Sequence, residues 1–156
     1  MKTYLLTWQQ DLPISVAEAW DFFRSPLNLT KITPDTMKFR VTSPYTANTE
    51  MYAGMIITYK VSPILGIELD WMTEITHVQD QQYFVDEQRF GPYALWHHQH
   101  HFEAIPGGTR MRDILNYAIP YGPIGRLTNK LFVEKQVRKI FEFREEAIKK
   151  MVPPAP

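Results

Sequence analysis

Hydrophobic and polar residues alternate with a period of two through much of the first 118 positions, the pattern of β-strands that bury one face. The alternation predicts seven strands, near residues 3–8, 37–42, 55–61, 67–76, 82–90, 94–105 and 109–118. Gly91-Pro92 and Pro106-Gly107-Gly108 are predicted to form the turns between the last three strands. Because the connections among the last six strands are short, we predict an antiparallel meander.

Two short helical segments are predicted between the first and second strands. Asp11-Leu12-Pro13 is expected to end the first strand, and Ser15-Val16-Ala17-Glu18 then matches a capping box. In that motif the serine hydroxyl and the glutamate carboxylate bind N–H groups that the start of a helix leaves unpaired. A further helical turn or two is expected from Pro26 to Ile32, ending before Thr33-Pro34, because the residue before a proline disfavours helical geometry.

The last third of the chain, from Tyr121 to Met151, is predicted to form one long amphipathic helix. Its apolar stripe is predicted to comprise Ile124, Leu127, Leu131, Val137, Phe141, Ile148 and Met151. Such a helix is about 45 Å long, so it needs a broad apolar partner surface. We therefore predict an α+β fold in which a curved antiparallel sheet of about seven strands surrounds the C-terminal helix.

Size and charge narrow the classes of function. With 156 residues we expect one domain, residues 1–152, followed by a proline-rich tail at 153–156. The 17 basic and 17 acidic residues balance, which does not favour nucleic acid as a partner. No apolar segment is long enough to span a bilayer, so we expect no integral membrane association. The absence of cysteine excludes disulfides and thiolate chemistry and agrees with the cytoplasmic location that we expect.

Ionisable residues are predicted to lie on the inward, apolar-rich faces of the last three strands. Counting through the two turns makes Asp86 a neighbour of His98, and His100 a neighbour of Asp113, unless a bulge changes the register. Gln88 and Tyr117 are predicted to share this concave surface. The outward faces carry a second polar set that we expect in water, namely His97, Gln99, His101, Glu87 and Arg89.

Several motifs in these strands resemble one branch of a known superfamily. They are the run from Phe84 to Tyr93, the strand from Trp96 to Phe102, Thr109 to Asp113, Tyr117 to Gly122, the early Trp20-Asp-Phe-Phe, and Ile32-Thr-Pro34. Together they resemble the START/SRPBCC helix-grip proteins labelled polyketide cyclase/dehydrase-like or coenzyme Q-binding-like. The resemblance implies a cavity between sheet and helix that binds hydrophobic small molecules. It does not fix the activity, because the superfamily includes carriers, sensors and cyclases.

Three interpretations of the inward polar residues remain open. In the first they form a structural network that fixes strand register. In the second they orient the polar end of a ligand; the candidate ligand-binding residues are Trp71, Asp86, Gln88, Trp96, His98, His100, Phe102, Asp113, Tyr117 and Leu131. In the third a histidine held by a carboxylate acts as a general acid or base, with His98, His100 and Asp113 as the catalytic candidates.

His98-x-His100 with Asp86 or Asp113 is also a two-histidine, one-carboxylate set of the kind that binds iron or zinc. Each histidine has a carboxylate available to it, so we expect no metal and no tightly held cofactor.

The sequence therefore predicts a protein that binds an apolar or amphipathic small molecule, without covalent chemistry. The opposing hypothesis is a cyclase/dehydratase-like enzyme. A third is a protein-interaction domain whose cavity is vestigial.

Overall fold

The computed structural model describes residues 1–46, 48–64 and 66–151, so the predicted tail at 153–156 lies outside the described residues. The strands are β1 (Tyr4–Leu12), β2 (Arg40–Val41), β3 (Met55–Ile64), β4 (Ile67–Gln79), β5 (Tyr83–Phe90), β6 (Leu95–Ile105) and β7 (Gly108–Ala118). The helices are α1 (Val16–Phe23), 3-10 segments at Pro26–Ile32 and Asp35–Met37, α2 (Gly122–Thr128), a π-helical segment at Asn129–Val133 and α3 (Glu134–Met151).

The seven strands form one antiparallel sheet in the order β1-β7-β6-β5-β4-β3-β2. The first strand therefore pairs with the last, and the remaining strands follow one another as a meander. The α+β fold class is confirmed, with short helical segments after β1 and a long C-terminal helix across the sheet. The capping box at the start of α1 is confirmed as well.

The predicted second strand is shorter than the alternation indicated. Only Arg40 and Val41 pair with β3, whereas Asp35–Met37 forms a 3-10 turn. That turn ends at Lys38, whose backbone is left-handed with φ of 47°. An extended strand cannot pass through a left-handed residue, so the run from Met37 to Thr42 is divided.

The predicted apolar stripe of the C-terminal helix is confirmed at three positions after Val133. It is wrong before Val133 and also at its last position, Met151, which is 41 % exposed. Val137, Phe141 and Ile148 are buried, but Ile124, Leu127 and Leu131 are exposed. The buried positions of the first turns are instead Gly125 in α2 and Asn129 and Val133 in the π-helical segment. These buried positions recur every four residues, whereas an α-helix has about 3.6 residues per turn. The wider π-helical turn keeps all three positions on the face that packs against the sheet.

Gly125 shows how closely the helix approaches the preceding chain. A Cβ at this position would lie 1.9 Å from the carbonyl oxygen of Pro120. The helix can therefore begin against the end of β7 only because residue 125 lacks a side chain.

Candidate functional site

The predicted neighbours on the inner face of the sheet are confirmed by the strand register. Asp86 pairs with His98 across β5 and β6, and His100 pairs with Asp113 across β6 and β7. Both ladders run without a register shift. Because alternate residues of a strand point to the same face of the sheet, two imidazoles and two carboxylates lie together on the inner face.

The four side chains also contact one another diagonally. Asp113 Oδ1 lies 2.8 Å from His98 Nε2 and 3.0 Å from His100 Nδ1. On the other side, Asp86 Oδ2 lies 3.1 Å from His100 Nε2 and 3.5 Å from His98 Nδ1. Each carboxylate thus serves both histidines. The cluster is buried, with His98 only 3 % and His100 6 % exposed.

Burial and charge act differently on the two histidines. Burial and the charge of His100 lower the pKa of His98, and its hydrogen bond to Asp113 only partly opposes this. Burial also disfavours the charged form of His100, but its contacts with Asp113 and Asp86 outweigh burial and raise its pKa. His100 Nε2 is hydrogen-bonded to Asp86 Oδ2 at 3.1 Å, whereas Nδ1 lies 3.0 Å from Asp113 Oδ1 without making a hydrogen bond.

The carboxylates are held in the ionised form. Burial disfavours ionisation of Asp86, but the hydrogen bond from His100 and the charges of the histidines and Arg144 outweigh it and lower its pKa. Burial opposes ionisation of Asp113 too, and the two histidines again outweigh it, so that its pKa falls well below the ordinary range. The carboxylates and imidazoles of this cluster therefore compensate one another's burial electrostatically, although His100 Nδ1 makes no hydrogen bond.

Aromatic rings fix the orientation of the two imidazoles. Phe84 stacks on His100 with ring centroids 4.2 Å apart. Trp96 and Phe141 meet the ring of His98 edge-on, at 6.3 Å and 5.5 Å. The imidazoles are therefore held by packing as well as by hydrogen bonds.

A cavity of about 160 Å³ lies between the sheet and α3, and the cluster forms part of its wall. Five of the ten predicted ligand-binding residues line it, namely Trp71, Trp96, Asp86, His98 and His100. Most of the remaining wall is apolar and includes Ile57, Phe84 and Ile140. The cavity is thus a largely apolar space whose wall includes the ionisable cluster.

Three further candidates lie on the inner face but are not part of the cavity wall. Asp113 sits behind the histidines, where its carboxylate contacts both rings. Phe102 packs against Trp20 in the core under α1, at a centroid distance of 5.6 Å. Tyr117 is fully buried and stacks on Tyr4 with ring centroids 5.3 Å apart. Their surroundings assign them to support of the wall.

Gln88 and Leu131 are not among the residues that line the cavity. The amide of Gln88 donates to the carbonyl of Tyr93 at 2.7 Å and accepts from its N–H at 3.2 Å, closing the turn between β5 and β6. Leu131 is 54 % exposed, because the π-helical turn presents Val133 to the sheet in its place.

Arg144 is a wall residue that the sequence pattern did not reveal. It lines the cavity from α3, and its guanidinium lies 5.2 Å from the centroid of the Phe141 ring. It follows Val137 by seven residues and so shares the buried face of the helix. That spacing was the available signal, but a charged residue on an amphipathic helix is ordinarily assigned to solvent.

Solved structures share this fold at low sequence identity. Protein CV1439 from Chromobacterium violaceum has a TM-score of 0.73 and 10 % identity, covering 97 % of this chain and 98 % of that chain. The di-domain ARO/CYC BexL from the BE-7585A biosynthetic pathway has a TM-score of 0.72 and 13 % identity, covering 99 % of this chain and 51 % of that one. Ara h 8.0201 has a TM-score of 0.62 and 12 % identity, covering 96 % and 99 %.

These similarities establish the helix-grip fold and leave the activity open, because unrelated functions occupy one fold. No protein-family model matches the chain, and no curated protein matches it. Among the described residues, no helix is both long enough and apolar enough to cross a membrane.

Proposed function

We propose that the protein binds a small apolar or amphipathic molecule in the cavity between the sheet and α3. The observation that carries the proposal is the cavity of about 160 Å³, lined mainly by aromatic and aliphatic side chains. An engineered apolar cavity of about 150 Å³ in another protein holds benzene, so a guest with one ring or a short chain fits the observed volume. A larger guest requires the wall to open.

Four ionisable side chains in the cavity wall can give the guest an orientation. Asp86, His98 and His100 face it from the sheet, and Arg144 faces it from the helix. Few polar groups in an otherwise apolar wall are what fixes the position of a ligand. A guest with one oxygen-bearing end therefore matches this wall better than a plain hydrocarbon does.

A cyclase/dehydratase-like enzyme is the second candidate, favoured by the carboxylate-held imidazoles in the cavity wall. His98 and His100 each contact Asp113, which fixes the orientation of both rings toward the cavity. Imidazoles so held are suited to move a proton in an aldol-type cyclisation or a dehydration. BexL, an ARO/CYC protein, shares the fold.

A protein-interaction role is the third candidate, favoured by an exposed apolar patch at the start of the C-terminal helix. The patch consists of Tyr121, Ile124, Leu127, Leu131 and Phe132. Contiguous exposed apolar surface commonly marks an interaction site.

We further propose that residues 1–152 are one domain and that the protein acts in the cytoplasm.

Filling the cavity separates the two candidates that need the cavity from the protein-interaction role. Ile140 lines the cavity, whereas Lys139 beside it on α3 is exposed, so Ile140→Trp is the test and Lys139→Trp the matched control. Native mass spectrometry of the freshly purified wild type and thermal shift with small aromatic acids, phenols, ketones and short fatty acids identify a guest.

We expect a guest that raises the melting temperature of the wild type and of Lys139→Trp but not of Ile140→Trp. No co-purified molecule and no shift across the panel would contradict the binding proposal. Turnover of a bound ketone by the wild type, lost in His98→Gln or His100→Gln while binding remains, would support the enzyme instead.

A further inference from the structure

We propose that Asp86, His98 and His100 form a binding site for a divalent first-row transition-metal ion, zinc or iron(II), in the wall of the cavity. The proposal revises the expectation of no metal and does not depend on an organic guest. It rests on which of the two carboxylates each imidazole nitrogen of His98 and His100 faces.

The first observation is convergence. Each of the three residues offers a ligand atom within 4.8 Å of the others. Asp86 Oδ2 is 3.1 Å from His100 Nε2 and 3.5 Å from His98 Nδ1. Ligands about 2.0 Å from a tetrahedral zinc ion lie about 3.3 Å from one another. The two distances from Asp86 bracket that value, and the two histidine nitrogens lie within 4.8 Å of each other.

The second observation is the position of Asp113. Its Oδ1 contacts the far nitrogen of each ring, His98 Nε2 at 2.8 Å and His100 Nδ1 at 3.0 Å. Histidine ligands of metals ordinarily donate their second N–H to such an acceptor, which fixes the tautomer and turns the lone pair toward the ion. The sequence predicts that each imidazole has a carboxylate partner of its own. In the structure Asp113 is hydrogen-bonded to His98 Nε2 and lies 3.0 Å from His100 Nδ1, which makes no hydrogen bond. The other nitrogen of each ring faces Asp86.

The third observation is charge. Asp86 and Asp113 bring two carboxylates into one buried cluster, and a divalent cation between neutral imidazoles balances them. Two nitrogens and one oxygen are ligands that suit zinc and non-haem iron, and such three-residue sets leave positions open. Since the three residues line the cavity, an open position faces the space where a guest would lie. A carbonyl, hydroxyl or carboxylate oxygen is the chemistry that such an ion would take from a guest.

The two outward-facing histidines of β6 provide a control for adventitious binding of metal ions at the surface. His97 and His101 lie on the outer face of β6, and each is one residue from one proposed histidine ligand and three residues from the other. His97 Nδ1 lies 3.0 Å from Glu87 Oε1, and His101 Nε2 lies 3.0 Å from Gln99 Oε1. A dense histidine run collects metal ions at its surface, so these residues must be tested in parallel.

The experiment uses the untagged full chain, stripped with a chelator and titrated with Co²⁺ and then Zn²⁺. Visible absorption of Co²⁺ reports the coordination and calorimetry the stoichiometry. The variants are Asp86→Asn, His98→Gln and His100→Gln for the ligands, Asp113→Asn for the positioning residue, and the double variant His97→Ala/His101→Ala as the control.

We expect one Co²⁺ per chain, displaced by Zn²⁺. Loss of a ligand should weaken binding by about 100-fold or more, and Asp113→Asn by about 10- to 100-fold, with the double variant within about twofold of wild type. Binding that disappears in the double variant but persists without His98 or His100 would mean a surface site only and would overturn the proposal. So would the absence of a stoichiometric ion.

If a ligand variant does not fold, X-ray absorption of the Co²⁺-loaded double variant decides instead. We expect two imidazole nitrogens and a carboxylate oxygen in its first coordination sphere. A sphere of water and one imidazole would contradict the proposal.

Discussion

The two faces of β6 carry the same residue type in two different environments. On the inner face His98 and His100 are buried among aromatic rings and two carboxylates. On the outer face His97 and His101 are half-exposed and contact Glu87 and Gln99. The sequence of the strand does not distinguish the pairs chemically; only the alternation assigns one to the core and the other to the surface.

The comparison shows that the surroundings of a histidine, rather than the residue type, determine how much its substitution affects stability and binding. An inner imidazole left without a partner is a buried polar group that water cannot reach. An outer imidazole that loses its partner is solvated instead. Changes on the inner face should therefore have large effects on stability and binding, and equivalent changes on the outer face small ones.

The largest effect is expected for Asp113→Ala. This change leaves His98 and His100 in the core without the carboxylate that contacts both rings. Removing one partner of a buried charged group commonly costs about 3–5 kcal/mol of unfolding free energy. Urea denaturation of wild type and variant measures the loss, and a loss below about 1 kcal/mol would show that the inner cluster is not the buried network described here.

A smaller effect is expected for Phe84→Leu on the same face. The substitution keeps an apolar side chain but removes the ring that stacks on His100 at 4.2 Å. We expect about 1–2 kcal/mol of destabilisation from imperfect packing and the lost ring contact. Urea denaturation measures it, with Tyr83→Leu as control, since Tyr83 stacks on the outer His101 at 5.5 Å. Equal losses for both variants would break the comparison.

On the outer face, Glu87→Gln should have little effect. Glu87 lies 3.2 Å from Arg89 Nη1 and 3.0 Å from His97 Nδ1, at a partly exposed position. Ion pairs in such positions contribute about 0–1 kcal/mol and are screened by salt. Unfolding free energies measured at low and high salt should converge for wild type and variant, and a difference that is independent of salt would contradict the assignment.

The smallest effect is expected for the double variant His97→Ala/His101→Ala. Surface substitutions away from special features commonly change unfolding free energy by no more than about 0.5 kcal/mol. The same double variant should bind a guest as tightly as the wild type does. A large loss of stability or affinity would show that the outer histidines support the cavity wall.

The contrast between the faces could be predicted from sequence because it depends on a local rule. Alternation assigned His98 and His100 inward, and the short turns at Gly91 and Gly107 fixed the register to Asp86 and Asp113. No register shift interrupts the β5–β6 or β6–β7 ladder, so pattern and structure agree around these four residues. The β4–β5 ladder, by contrast, shifts register twice.

The helix side of the cavity could not be predicted as well. A π-helical turn at Asn129–Val133 changes the spacing of buried positions, so Leu131 faces outward. Arg144 lies in the cavity wall although its charge alone favours solvent. Both depend on how the helix docks on the sheet, which is tertiary information that residue periodicity does not contain.

The most direct test of the central claim is side-chain NMR of the histidine rings during titration with guests. Small aromatic acids, phenols and ketones are the probes. We predict that a guest moves the ring signals of His98 and His100 and leaves those of His97 and His101 in place. If every member of the panel leaves the inner rings unmoved, or moves the outer rings equally, the inner face of β6 is not the wall of a binding cavity.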